Sequence, residues 1–214
     1  MKKFLSYLWP DTKRYYSEIN GTLEVTYIDG KKVLDTENAN YSYGSLQKIL
    51  EFGVSEINLK TVENTLILGM GGGSVIQSLR DKFNYKKNVV AVEIDPKVIQ
   101  IAAKEFGITE SKNQKIIEED AFKYVENSND VFQLIIIDVF VDLNVPNKFF
   151  EKDFCYNVSK LIDKNGFFIF NIGVNLNEET DKSKEIISHF GKNFEITTYP
   201  AVNKTNCLLI GKKL

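Results

Sequence analysis

Two cysteines, one histidine and four prolines among 214 residues leave little material for several common kinds of site. Cys155 and Cys207 stand far apart, without partners at metal-ligand spacing, so neither a disulfide framework nor a zinc site is expected and both read as buried thiols. No metal is expected elsewhere. The single histidine, His189, lies in a Lys/Ser/Glu-rich helical stretch and reads as a packing or solvent-facing residue, which leaves general-base chemistry to carboxylates or tyrosines. An excess of one charge is also missing. The 27 basic and 29 acidic residues nearly cancel, and no basic run interleaves with aromatics, so nucleic acid is not an expected partner. No apolar run approaches the roughly 20 residues that cross a bilayer. The apolar start at Met1–Leu5 is cut off by Trp9-Pro10-Asp11, so no membrane is expected and the location expected is the cytoplasm.

What is present is enough apolar material, 43% of residues, for one substantial core with a small appendage. Residues 1–40 read as a short N-terminal β appendage. Its two strand-like runs, Thr22 to Tyr27 and Lys32 to Leu34, meet at the hairpin signal Asp29-Gly30. Residues 41–214 read as the main domain, opened by a short helix in which Leu46, Ile49 and Leu50 share a face.

From Asn64 onward strands and helices alternate. The strand runs Thr65–Leu68, Asn88–Glu93, Lys115–Ile117, Phe132–Ile137 and Gly166–Asn171 include several that are nearly all apolar, as strands covered on both faces must be. The alternation predicts an α/β fold with a doubly wound, mostly parallel sheet. The end of the chain differs: Glu195–Tyr199 and Cys207–Lys212 are separated only by Asn203-Lys204-Thr205-Asn206, too short for a crossover, so they are predicted to form an antiparallel hairpin at the sheet edge.

The most informative segment follows the first of these strands. Gly69-Met70-Gly71-Gly72-Gly73 leads from an apolar strand into a helix, and the next strand ends in Glu93, twenty residues after Gly73. Glycines let a backbone approach a ligand closely and an acid at that strand tip suits a ribose diol, which points to a nucleoside-containing cofactor; a plain tight turn is the alternative. Ser74 stands where a dinucleotide site prefers glycine or alanine, which disfavours a nicotinamide enzyme. Asp120, after the third strand, suits either an adenine amino group or a helix cap. Asp138 ends the run Leu134–Ile137 and emerges at the same rim as the glycine loop, which makes it the leading catalytic candidate. The segment from Val139 to Pro146 mixes apolar and acidic residues and suits a cover over a substrate.

Leu66 to Ser74, Val92-Glu93-Ile94-Asp95, Asp120-Ala121 and Ile137-Asp138, taken in this order, resemble the spermidine synthase group of the class I S-adenosylmethionine methyltransferase superfamily, over residues 40 to 173. The resemblance implies a seven-stranded, Rossmann-like sheet. It implies that Gly69, Gly71 and Gly73 line the methionine-derived arm of the cofactor, that Glu93 binds its ribose and that Asp120 meets its adenine. Met70, Ile94, Ala121 and Asp138 count as cofactor-binding positions beside them. Asp138 takes the place of the family's catalytic aspartate, with Tyr43 or Asp142 assisting in proton removal.

Three departures bear on the reaction. The family's glycine-loop aspartate is Gly72 here, its Asp-x-x-Asp-Pro becomes Asp138-Val139-Phe140-Val141-Asp142, and its Tyr-Gln-Glu or Tyr-His-Glu becomes Tyr43-Gly44-Ser45. A transferase using S-adenosylmethionine is therefore expected, with methyl transfer to a small-molecule acceptor favoured. The alternatives are an aminopropyltransferase using decarboxylated S-adenosylmethionine and a non-catalytic nucleoside-binding protein. The partners expected are that acceptor, with amines as one class, and a second copy in a homodimer.

Overall fold

The structure, a computed structural model, describes residues 11–28, 30–36, 40–141, 144–173 and 176–214. Trp9-Pro10, the turn residue Asp29 and the candidate Asp142 lie outside them. The main sheet is built from β5 (Asn64–Leu68), β6 (Asn88–Glu93), β7 (Gln114–Glu118), β8 (Phe132–Ile137), β9 (Ile162–Gly173), β10 (Phe194–Val202) and β11 (Asn206–Lys213). Its strand order is β10-β11-β9-β8-β5-β6-β7. The first five run parallel, and β11 lies antiparallel between β9 and β10. The doubly wound sheet and its C-terminal antiparallel hairpin are therefore as the sequence predicts.

The apolar runs explain the centre of this sheet. Leu66, Ile67 and Leu68 of β5 and Leu134 to Ile137 of β8 have no exposed surface, because helices cover both faces. Each such side chain contributes about 1.5–3 kcal/mol by leaving water. The helices are α1 (Gly44–Ser55), α2 (Ser74–Asp81), α3 (Pro96–Phe106), α4 (Ala121–Asn127), α5 (Lys152–Leu161) and α6 (Leu176–Phe190). Asp95 caps α3 through the Lys97 N–H, Pro96 opens it and Gly107 closes it at φ +73°. The chain runs from β5 out to β6 and β7, and α4 then carries it back across to β8 on the other side of β5. This reversal leaves a crevice at the strand tips, where the glycine loop after β5 meets the residue after β8.

The N-terminal appendage is larger than the hairpin predicted. β1 (Asp11–Ser17), β2 (Gly21–Ile28), β3 (Lys31–Thr36) and β4 (Asn40–Ser42) form a four-stranded antiparallel sheet. β1 gives no clear apolar alternation because most of it is exposed, and it is held by pairing with β2 in the register Asp11↔Tyr27 to Ser17↔Gly21.

This small sheet docks on α3. Leu23, Val25 and Leu34 pack against Val98 and Ile101, and the carboxylate of Glu105 accepts hydrogen bonds from Lys13 Nζ at 2.8 Å, Tyr15 Oη at 2.7 Å and Lys32 Nζ at 3.0 Å. Lys13 above all, aided by Tyr15 and Lys32 and opposed by burial, pulls the Glu105 carboxyl down to about 2. A depressed carboxyl stabilises the fold above its ordinary value near 4.5, and that contribution is lost as pH falls towards about 2. Glu105→Ala is expected to cost about 2 kcal/mol and to flatten the acid limb of the stability curve. Hydrogen exchange should show β2 and β3 opening faster than β5 and β8; equal protection would mean that apolar packing alone holds the small sheet.

Candidate functional site

The glycine loop is shaped by contacts that need glycine. Gly69 has φ +84°, and a Cβ there would lie 2.2 Å from the Asp138 carbonyl oxygen. The loop therefore passes against the end of β8 with no side chain between them. The N–H groups of Gly69 and Met70 both donate to Val92 O at 3.0 Å, which pulls the loop over the tip of β6. There the Gly71 N–H donates to Glu93 Oε2 at 2.8 Å.

Glu93 is only 4% exposed. Burial pushes its carboxyl up to about 7, against the Gly71 and Asp95 N–H donors and with the negative charge of Asp95 adding to the rise. A carboxylate has about four acceptor positions, so these two donors and the Ile94 N–H still leave room for a ligand hydroxyl. Ile94, next in sequence, is 44% exposed and offers an apolar surface at the cavity wall.

Asp120 is a helix cap. Its Oδ1 accepts from the Phe122 N–H at 2.8 Å and the Lys123 N–H at 3.3 Å at the start of α4. Oδ2 accepts from Lys148 Nζ at 2.7 Å. Burial alone would raise this carboxyl, but the Lys148 hydrogen bond, with the backbone donors and the lysine charge, brings it below its ordinary value. Asp138 also lines the cavity, and its Oδ1 accepts from Asn171 Nδ2 at 2.8 Å. Burial pushes the Asp138 carboxyl up to about 6, with Asn171 opposing the rise.

One cavity thus gathers Gly69, Met70, Gly71, Glu93, Ile94, Asp120, Ala121 and Asp138. Two candidates fall elsewhere. Gly73 is the αL residue before α2, with φ +83°, and a Cβ there would press on Ile108 at 2.6 Å; its glycine serves packing rather than the cavity wall. Tyr43 stands behind the loop, stacked on Phe106 at 4.3 Å between ring centroids, with its hydroxyl donating to Gly72 O at 3.1 Å. Burial, with the charge of Asp81, raises its hydroxyl above the ordinary value, so it remains a phenol and supports the loop instead of taking a proton from the cavity. A Cβ on Gly72 would lie 3.1 Å from both Ser42 and Tyr43, so a side chain there would need these neighbours to shift by a few tenths of an ångström.

Sequence reasoning missed several wall residues. Ile19 and Asn20 come from the β1–β2 turn, held over the cavity by Asn20 Nδ2 donating to Asp95 Oδ2 at 2.6 Å and by a Ser17–Asp95 hydrogen bond. Lys148 and Phe149 follow β8, and Asn206 begins β11. No local pattern marks a polar turn or a lone lysine as belonging to a distant crevice. His189 is not in this wall; it lies 3.4 Å from Glu185 within α6. Cys155 and Cys207 are both buried. Among the described residues no cluster of three potential metal ligands occurs, and no helix is long and apolar enough to cross a membrane.

Comparison with known proteins bears on the family and the fold. A polyamine aminopropyltransferase of Thermoplasma acidophilum is 29% identical over 150 residues, covering 68% of this chain and 53% of that protein. An eEF1A lysine and N-terminal methyltransferase of Xenopus laevis is 31% identical over 119 residues, covering 51% of this chain and 17% of that protein. The chain therefore matches about half or less of the length of these relatives. Human methyltransferase-like protein 13, solved in complex with SAH, superposes with a TM-score of 0.67 at 23% identity over 80% of this chain and 83% of that one. That likeness establishes the class I methyltransferase fold. The profile of the family described as the spermine/spermidine synthase domain matches residues 48–208, from α1 into β11, and the chain belongs to that family.

Proposed function

We propose that this protein binds S-adenosylmethionine or a close analogue and transfers its methyl group to a small-molecule acceptor. The observation that carries the reading is the convergence of Glu93, Asp120 and Asp138, from the tips of three strands, around one glycine loop. The residues fit the cofactor's parts. Glu93 keeps acceptor capacity for a ribose diol, Ile94 offers an apolar face for a purine, and Gly69 and Gly71 line the cavity where a methionine-derived arm would run.

When bound, the cofactor supplies a sulfonium carbon open to in-line displacement. The protein's part is to align the acceptor and to handle its proton. Asp138, ionised above about 6, would accept that proton or orient the lone pair of an amine. Ile19 and Asn20 of the small sheet, with Phe140 and Val141 after β8, would limit water at the mouth. Tyr43 takes no part in this proton transfer.

A second reading, aminopropyl transfer from decarboxylated S-adenosylmethionine, is favoured by the family and by the relative named polyamine aminopropyltransferase. Methyl transfer is preferred because Gly72 and Ser45 stand where the resembling family has acids.

Calorimetry with the intact and decarboxylated cofactors, adenosylhomocysteine and methylthioadenosine separates the readings. Binding of intact S-adenosylmethionine and adenosylhomocysteine is expected, weakened about 10- to 100-fold in Glu93→Gln by the loss of charged hydrogen bonds to the ribose. Binding of the decarboxylated form alone would overturn the methyl reading. No binding by any of the four would overturn the cofactor assignment.

A further inference from the structure

We infer that Asn171 and Asn206 are positioning residues for Asp138, forming a buried amide relay that holds one carboxylate oxygen and leaves the other to face the acceptor. The inference rests on Asp138 being the carboxylate that serves the acceptor. Its evidence is the geometry at the tips of β11, β9 and β8. Asn206 Nδ2 donates to Asn171 Oδ1 at 2.9 Å, and Asn171 Nδ2 donates to Asp138 Oδ1 at 2.8 Å. Asn171 has no exposed surface and Asn206 only 2%, while Asn206 also lines the cavity.

The direction of the relay follows from chemistry. Gly173 N–H donates to Asn171 Oδ1 at 3.4 Å, and a backbone N–H cannot accept a hydrogen bond. The Asn171 oxygen must therefore face Gly173, which turns its NH2 group towards Asp138. A donor at that point favours the carboxylate over the acid. Asn206 completes the amide oxygen's hydrogen bonding and keeps Asn171 from turning over.

Packing alone does not call for these amides. Asn171 interrupts the run Phe167 to Ile172, whose members Phe168, Ile169 and Phe170 are fully buried, and an apolar residue of like size would fill the same place without a polar group to satisfy. The β9–β11 pairing also shifts register between Cys207 and Leu208, directly beside Asn206. Such irregularities re-aim side chains next to functional sites.

Few other charges reach Asp138. Burial and the Asn171 hydrogen bond account for its raised carboxyl. Glu93 ends β6 and Asp120 follows β7, two and three strands away across the sheet, with Lys148 beside Asp120; Glu119 lines the cavity next to Asp120. Asp142 lies outside the described residues.

The test is a carbon-detected NMR titration of aspartate carboxyl groups in the cofactor-free protein, with Asp138 assigned by its absence in Asp138→Asn. The wild-type midpoint is expected near 6. Asn171→Leu should raise it by about 1 pH unit, and Asn206→Leu by less. An unmoved or lowered midpoint in folded Asn171→Leu overturns the relay. Should that variant fail to fold, Asn206→Leu decides, and an unmoved midpoint there overturns it equally. Adenosylhomocysteine calorimetry on the same proteins tests the cofactor reading independently, since the titration requires no ligand.

Discussion

Asp138→Asn is expected to lower transfer by at least about 100-fold at neutral pH, the usual effect of removing a positioned general base. The substituted amide can still present an oxygen to Asn171 Nδ2, so the relay across β9 and β11 has a partner and the fold should persist. Formation of adenosylhomocysteine in the presence of an acceptor panel reads the effect, with methylthioadenosine followed in parallel for aminopropyl transfer. The wild type should lose activity as pH falls through about 6, where Asp138 takes up a proton. The stability curve carries the opposite sign. A carboxyl raised on folding binds protons more tightly in the native state, so the wild type loses stability as pH rises from near 3.8 through about 6, and Asp138→Asn should show a smaller decline, the part due to the raised Glu93 carboxyl remaining. Unchanged turnover would remove Asp138 from the mechanism, whatever the stability curve shows.

Gly69→Ala carries the largest expected effect on the fold. Two costs coincide at this position. A φ of +84° is unfavourable for any residue with a Cβ, by about 1–2 kcal/mol, and the added Cβ would lie 2.2 Å from the Asp138 carbonyl oxygen, which belongs to the backbone at the end of β8 and cannot swing aside. We expect about 3 kcal/mol or more in total, seen as a fall of roughly 6–12 °C in thermal midpoint. Gly107→Ala is the matched control: its φ is +73° but nothing lies within 4 Å of the added Cβ, so only the backbone cost should appear. Equal losses in the two variants would show that the close approach of loop and strand does not constrain the site. A larger loss at Gly69, accompanied by displacement of Asp138, would show that the loop sets the position of the carboxylate.

The central sheet was legible because its strands are buried on both faces, so that near-continuous apolar runs such as Leu134–Ile137 could hardly be anything else, and because caps such as Asp95-Pro96 and Gly107 mark helix ends. The small sheet was only half legible. β2 and β3 carry a hairpin signal, whereas β1 is a charged, mostly exposed strand stabilised by its neighbour. Among the cavity residues, Glu93 and Asp138 could be found because the first ends an apolar strand and the second directly follows one, which places them at the same rim. Tyr43 and Gly73 could not be sorted from the cavity residues by motif. Tyr43 reaches the loop from behind and Gly73 packs on Ile108, and a linear pattern does not record the side from which a residue approaches.

By itself the amino-acid order determined the alternation of strands and helices and the carboxylates at the strand ends, since periodicity and turn chemistry are local properties; the reversal of strand order that opens the crevice belongs to the assembled sheet. Tertiary structure alone decided what surrounds those carboxylates. The N-terminal sheet brings Ile19 and Asn20 to the mouth, Lys148 to Asp120 is a contact across 28 residues, and Asn206 and Asn171 reach Asp138 across three strands. The environment of an ionisable group depends on burial and on partners distant in sequence, and these exist only once the sheet is assembled.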